Sequence, residues 1–127
     1  MKQLWPETQL QQAVIEWIGY TYPKAKEMTF ASAGGLVTTQ KSARLLKTMG
    51  YQAGTPDIFI AIPVSPYAGL WIELKAESST QKKGTSRQQE VLKRLRLYGY
   101  RAELCIGIDA VIQVIQDYFY GYFSKRR

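Results

Sequence analysis

Apolar residues recur with a helical period at the start of the chain. Leu10, Val14, Trp17 and Ile18 lie at i, i+4, i+7 and i+8 and share one stripe. Pro6 suits the first position of that helix and Glu7 its first turn. The helix is expected to run to about Gly19 and to end at Thr21-Tyr22-Pro23. Met28 to Ala31 reads as a short strand, and Gly34-Gly35 as a turn. Thr38 or Thr39 is placed to cap a second helix, which passes through Arg44, Leu46 and Lys47 and stops at Gly50. The period then changes. After the turn Gly54-Thr55-Pro56-Asp57, the run Ile58-Phe59-Ile60-Ala61-Ile62 is β-branched and aromatic and predicts a buried strand. Pro63 to Gly69 reads as a loop and Leu70 to Ala76 as a second strand. The two strands can form a hairpin with a seven-residue connection.

Ser86 followed by Gln89 three residues on reads as a capping box for a helix carrying Val91, Leu92, Leu95 and Tyr98 and ended by Gly99. Ala102 to Ile108 is a further apolar strand. Asp109 is expected to cap a final helix with Val111, Ile112, Ile115, Tyr118, Phe119 and Tyr122. The order α, β, α, β, β, α, β, α predicts an α/β fold: one domain, residues 1–127, around a small mixed β-sheet flanked by helices.

Composition narrows the chemistry. Histidine is absent, which excludes a Ser-His-Asp triad and any histidine-ligated metal site. The single cysteine, Cys105, excludes a disulfide framework and reads as a small buried hydrophobe in its strand. A reducing, intracellular (cytoplasmic) setting is expected from that usage. No apolar run approaches the ~20 residues that span a bilayer. The opening MKQLWPETQLQQ resembles neither a signal nor a transit peptide, so no membrane partner is expected. Lys and Arg number 17 against 10 Asp and Glu, a net charge of +7, which favours a polyanion such as nucleic acid. Catalysis in such a chain rests on carboxylates, Lys, Tyr, Ser or Thr, together with a hard metal.

Trp71-Ile72-Glu73-Leu74-Lys75 contains the candidate chemistry. Alternation puts Trp71, Glu73 and Lys75 on one face of the strand. A carboxylate and an ammonium in such a strand are costly unless paired or used. A local ion pair on an ordinary sheet face would explain them. Asp57 enters the preceding strand, and if the two strands pair it can lie near Glu73. As a turn residue bonding its own backbone it would need no further role. Two carboxylates brought together repel unless a cation sits between them, and few oxygen ligands with retained waters suit Mg²⁺ or Mn²⁺. Glu7 points along the inward stripe of its helix, with Gln11 one turn later. A favourable helix-dipole position, ~0.3–1 kcal/mol, explains Glu7 equally well. From Lys82 to Arg101 the basic residues are Lys82, Lys83, Arg87, Lys93, Arg94, Arg96 and Arg101, against the single acid Glu90. This excess fits either phosphate contact or a solvated helix face. The cluster Tyr118, Phe119, Tyr120, Tyr122 and Phe123 reads as core or as the interface of a homodimer formed through the C-terminal helix.

Taken in order, Glu7 with Gln11, Gly54-Thr55-Pro56-Asp57, Glu73-Leu74-Lys75 and Ser86-x-x-Gln89 resemble the VRR-NUC family. This is the virus-type replication-repair branch of the PD-(D/E)XK nucleases, and the small stand-alone members of phages and prophages look most similar. Ala43-Arg44-Leu45-Leu46-Lys47 through Gly50 and Gly54 resembles the segment those members carry before their Pro-Asp. Relatives often have Asn before the Gly-Gly pair, where this chain has Ala33.

The resemblance implies a restriction-endonuclease-like core and metal-dependent hydrolysis of DNA, often structured or branched DNA such as Holliday junctions or flaps, in phage-type replication, recombination or repair. It implies Asp57 and Glu73 as ligands of Mg²⁺ or Mn²⁺, with the Leu74 carbonyl, and Glu7 as a further ligand or one acting through water. Lys75 would orient the attacking water or stabilise charge on the phosphate. Gln89 and Gln11 would orient the site. Arg44, Lys47, Lys82, Lys83, Arg87 and Lys93 are the expected DNA contacts. Two other readings stand beside this one: a nucleic-acid-binding module of the same fold without catalysis, and an RNA endonuclease.

Overall fold

Helix α1 (Pro6–Thr21) begins on its proline, whose missing N–H is no loss at that position. A computed structural model describes residues 6–32 and 39–123 of the chain. The Gly34-Gly35 turn, Ala33, Thr38 and the tail Lys125-Arg126-Arg127 lie outside the described residues. Helix α1 ends at Thr21, at the expected Thr21-Tyr22-Pro23 stop, and Pro23 then starts a further short helix, α2 (Pro23–Lys26), absent from the pattern-based reading. A proline that breaks one helix is also suited to open the next. Strand β1 (Thr29–Ala31) follows, then α3 (Gln40–Thr48), capped by Thr39, whose side-chain oxygen accepts from the Ser42 N–H.

Strands β2 (Ile58–Ile60) and β3 (Leu70–Lys75) pair antiparallel, as expected. Strand β2 is shorter than its apolar run, because the chain leaves the ladder before Pro63. Helix α4 (Ser86–Leu97) leads to β4 (Arg101–Ile106), which runs parallel to β3. The cap of α4 is a correction. Thr85, not Ser86, is the N-cap, and Gln88, not Gln89, closes the capping box. The start of α5 (Gly107–Tyr118) is a second correction. Strand β4 ends at Ile106 and the chain turns at Gly107, so Asp109 lies inside the first turn and caps nothing.

The sheet order is β1-β2-β3-β4. Each strand face has a distinct use. Ile58 and Ile60 on β2, Leu70, Ile72 and Leu74 on β3, and Cys105 on β4 pack with Val14 and Ile18 of α1 and Val111 and Ile115 of α5. Of the predicted α1 stripe, Val14 and Ile18 are fully buried while Leu10 and Trp17 pack against the margin. The opposite sheet face carries Trp71, Glu73 and Lys75, and α4 packs on β4, where Leu92 and Ala102 are both buried.

Tyr118, Phe119, Tyr122 and Phe123 pack in or against the core, while Tyr120 is 90% exposed. Tyr118 and Phe119 are each 3% exposed, and the Tyr118 hydroxyl donates to the Ile62 carbonyl at 2.6 Å. Phe119, Phe123 and Tyr22 pack ring on ring. Helix α5 therefore turns its apolar face inward, and its exposed positions are Asp109, Gln113, Gln116 and Asp117. The apolar stripe of α5 belongs to this chain's own core, the first of the two readings of that cluster. None of the described helices is long and apolar enough to cross a membrane.

Candidate active site

The antiparallel register puts Ile58 opposite Ile72, and so sets Asp57 across from Glu73. A buried neighbour and two hydrogen bonds hold Asp57 there. Pro56, immediately before it, is fully buried. The Asp57 carbonyl accepts the Ser32 N–H at 3.0 Å, which ties it to the end of β1. Its Oδ2 accepts the Leu74 N–H at 2.7 Å, which ties its side chain to β3. In an extended strand the N–H and C=O of one residue point to the same edge, so the Leu74 carbonyl also leans toward Asp57.

Glu73 and Lys75 are the buried charged side chains among the described residues, at 3% and 8% exposure. Lys75 Nζ stands 3.9 Å from Glu73 Oε1. The same Oε1 accepts from Gln88 Nε2 at 2.6 Å. Glu73 Oε2 is buried with no hydrogen-bond partner among the described residues. Burial pushes the Glu73 carboxyl up to about 8; the Asp57 charge adds to this and Lys75 opposes it. Asp57 is also raised, by burial first, with the Leu74 N–H and Lys75 working against the rise. Burial thus raises both carboxyls of the pair, with the Lys75 ammonium alongside.

This donor set fits a hard divalent cation. A cation relieves the carboxylate repulsion and gives the orphaned Glu73 oxygen a partner. No group of three or more His, Cys, Asp or Glu side chains able to hold a metal occurs among the described residues. The ligands at hand are thus two carboxylates and a backbone carbonyl. Mg²⁺ and Mn²⁺ accept so small a set because they retain several waters.

The other expected site residues fall in different places. Glu7 is exposed on the first turn of α1 and reaches the pair as a charge, one of the influences that raise Asp57. Gln11 is half-buried one turn later. Gln89 lies away from the carboxylates: its Nε2 donates to the Lys83 and Gly84 carbonyls, each at 3.1 Å. The glutamine that reaches Glu73 is Gln88, which the sequence reading missed. Its signal was present as Thr85-x-x-Gln88, offset by one residue from Ser86-x-x-Gln89.

Among the basic residues, Arg87 is engaged in the chain. Its guanidinium donates to the Ala53 carbonyl at 3.2 Å and to Gln52 Oε1 at 3.3 Å, and it sits 3.9 Å from Glu90. It thereby fastens the segment before Asp57 to α4. Lys82, Lys83 and Lys93 are exposed around α4, and Arg44 and Lys47 are exposed on α3; none makes an ion pair among the described residues.

Comparison with family models gives no match, and comparison with curated proteins gives none. Comparison with solved structures does. A chain described as a VRR_NUC domain protein is 33% identical and superposes with a TM-score of 0.76, covering 93% of this chain and 90% of that one.

Proposed function

The chain belongs to the VRR-NUC family, a nuclease family, and on that premise we propose that it is a divalent-metal-dependent DNA endonuclease that cuts structured or branched DNA such as four-way junctions or flaps. The observation that carries this reading is the facing Asp57–Glu73 pair, Asp57 half-buried and Glu73 buried, with Glu73 Oε2 lacking a partner among the described residues and Lys75 Nζ 3.9 Å from Glu73 Oε1. A module that only binds has no use for two facing carboxylates withdrawn in part or whole from water, which destabilise the chain that holds them.

Asp57, Glu73 and the Leu74 carbonyl would hold the ion, with Glu7 contributing through water from α1. When bound, Mg²⁺ or Mn²⁺ supplies Lewis-acid neutralisation of the phosphate and a more acidic water. Gln88 fixes the Glu73 carboxylate by its 2.6 Å hydrogen bond. Lys75, on the same strand face, orients the attacking water and offsets the charge that grows on the phosphoryl oxygens. The water oxygen forms the new bond to phosphorus and the bond to the leaving sugar oxygen breaks. Lys82, Lys83, Lys93, Arg44 and Lys47 lower the cost of bringing a phosphate backbone to the site. Gln89 acts by holding the Lys83–Gly84 turn. The role we infer is phage-type replication, recombination or repair, where paired incision across a junction calls for two copies of the chain.

The test is cleavage of labelled single-stranded, duplex, flap and four-way-junction DNA, and of RNA, in EDTA, Mg²⁺ or Mn²⁺, beside Asp57→Ala and Lys75→Ala. Metal-dependent cleavage of branched DNA, lost in both variants, is expected. Binding without metal-dependent cleavage by the wild-type chain would overturn the reading in favour of a binding module.

A further inference from the structure

The face that carries Glu73 and Lys75 also carries a row of aromatic rings. Phe30 on β1 pairs with Phe59 on β2, and Phe59 with Trp71 on β3, so the three side chains stand side by side across three strands. Phe59 and Trp71 lie parallel, with centroids 4.2 Å apart and planes 18° apart, and Tyr100 meets both edge-on. Phe30, at the outer end, is 51% exposed.

This row is not ordinary core. The apolar core of this sheet lies on its other face. The stack buries the Trp71 Nε1–H with no acceptor among the described residues, which is unfavourable for stability alone. It also depends on Gly69: a Cβ there would sit 2.8 Å from Phe59 Cε1 and 3.1 Å from the Ile60 carbonyl, so only glycine lets the ring lie flat over the strand. Position is the second observation. Phe30 pairs with Phe59, two residues along β2 from Asp57, so it lies on the diagonal from Asp57, about 7–8 Å away. That is about one nucleotide step from a phosphate held at Asp57.

Resting on the nuclease reading above, we infer that Phe30, backed by Phe59 and Trp71, stacks an unpaired nucleobase of the substrate strand next to the scissile phosphate. A base inside a duplex is already stacked on both faces and cannot reach the row. A base at a flap, a splayed end or a junction centre can, and aromatic faces accept any base. Charge complementarity favours a nucleic-acid occupant, because the chain carries net +7. The row thereby makes the site selective for phosphates beside unpaired bases.

The test is binding in EDTA, which does not depend on catalysis. The full chain is titrated with a paired duplex and with a splayed duplex carrying 2-aminopurine at the first unpaired position. Wild type is expected to bind the splayed DNA more tightly and to quench the 2-aminopurine. Phe30→Ala is expected to lose the quench and about tenfold in affinity for the splayed DNA, with duplex binding unchanged. Phe30→Trp restores both, and Phe30→Leu, which keeps strand bulk, behaves like alanine. No quench in the wild type, or an equal loss on both DNAs, overturns the inference. Cleavage in Mg²⁺ separates the two claims. Metal-dependent cutting by Phe30→Ala with an unaltered substrate preference sinks the aromatic row and leaves the nuclease reading standing. Quenching without cutting by the wild-type chain does the reverse.

Discussion

Gln88 joins a helix cap to a buried carboxylate. Its Nε2 donates to Glu73 Oε1 at 2.6 Å while its Oε1 accepts the Thr85 N–H at 2.9 Å. The residue that closes the first turn of α4 therefore also fixes the rotamer of the acid on β3. Side chains that hold a ligating carboxylate set its direction, and their loss commonly lowers activity without removing the ligand.

Thr85→Ala and Gln88→Ala separate those two duties. Both break the capping box, and each is expected to lower stability by about 1 kcal/mol. Only Gln88→Ala leaves Glu73 Oε1 without its amide donor, so only it is expected to reduce kcat, by about tenfold to a hundredfold. Thermal melts and steady-state cleavage of the same preparations check this. Equal kcat in the two variants would show that Gln88 serves the helix alone.

The carboxylate pair makes a second prediction, about pH. Glu73 is raised from an ordinary 4.5 to about 8 in the folded chain. Between those values the folded state holds a proton that the unfolded state has released. Stability of the metal-free protein therefore falls as pH rises from about 4.5 to about 8. The loss is of the order of a few kcal/mol. Melting in EDTA across that range should show it, Glu73→Gln should flatten the profile, and Mg²⁺ should raise the melting temperature most at the alkaline end. A profile that rises with pH in EDTA would contradict the raised Glu73 carboxyl.

Much of this site can be read in the sequence because it rests on strand pattern. The runs before Pro63 and after Gly69 identify two strands, their short connection makes antiparallel pairing natural, and that pairing sets Asp57 against Glu73. What escaped depended on offsets of one residue or on register. Thr85 and Ser86 are both good caps, so nothing local distinguishes Gln88 from Gln89. Phe30, Phe59 and Trp71 look like separate strand aromatics until the ladder sets them side by side. Helix α2 escaped because Pro23 reads as a stop. The aromatic tail read as core or interface because composition does not say whether the rings close on their own chain, as Phe119 and Phe123 do on Tyr22.

Gly54 supports the site from behind. Its φ is +81°, and a Cβ there would lie 2.8 Å from Arg87 Cγ and 3.0 Å from the Arg87 carbonyl. Gly54→Ala meets both a left-handed backbone and a backbone neighbour that cannot yield. A loss of about 1–3 kcal/mol is expected, together with weaker Mn²⁺ binding, because the segment leading to Asp57 must shift. Arg87→Ala removes the tether to Ala53 and Gln52 without the strain and should cost less. Denaturant melts and Mn²⁺ titration rank the two. A Gly54→Ala chain as stable as wild type would mean the turn relaxes freely.

Lys75 is where binding and chemistry should come apart. Its ammonium lies beside Glu73 yet offers no lone pair to a cation while protonated, so its charge opposes a metal at the same carboxylate. Lys75→Met keeps the length of the buried stem and removes that opposition. Mn²⁺ affinity is therefore expected to hold or rise, whereas Asp57→Asn and Glu73→Gln should lose it. Cleavage should move the other way. Without the cation to orient water and balance the phosphoryl charge, kcat should fall by about a hundredfold to a thousandfold, the usual loss for one preorganised electrostatic group. Calorimetric Mn²⁺ titration and single-turnover cleavage, run on one preparation of each variant, read the two effects independently. If Lys75→Met lost metal binding and cleavage together, the lysine would be holding Glu73 in place, and the water-orienting role would have to pass to another group on that face.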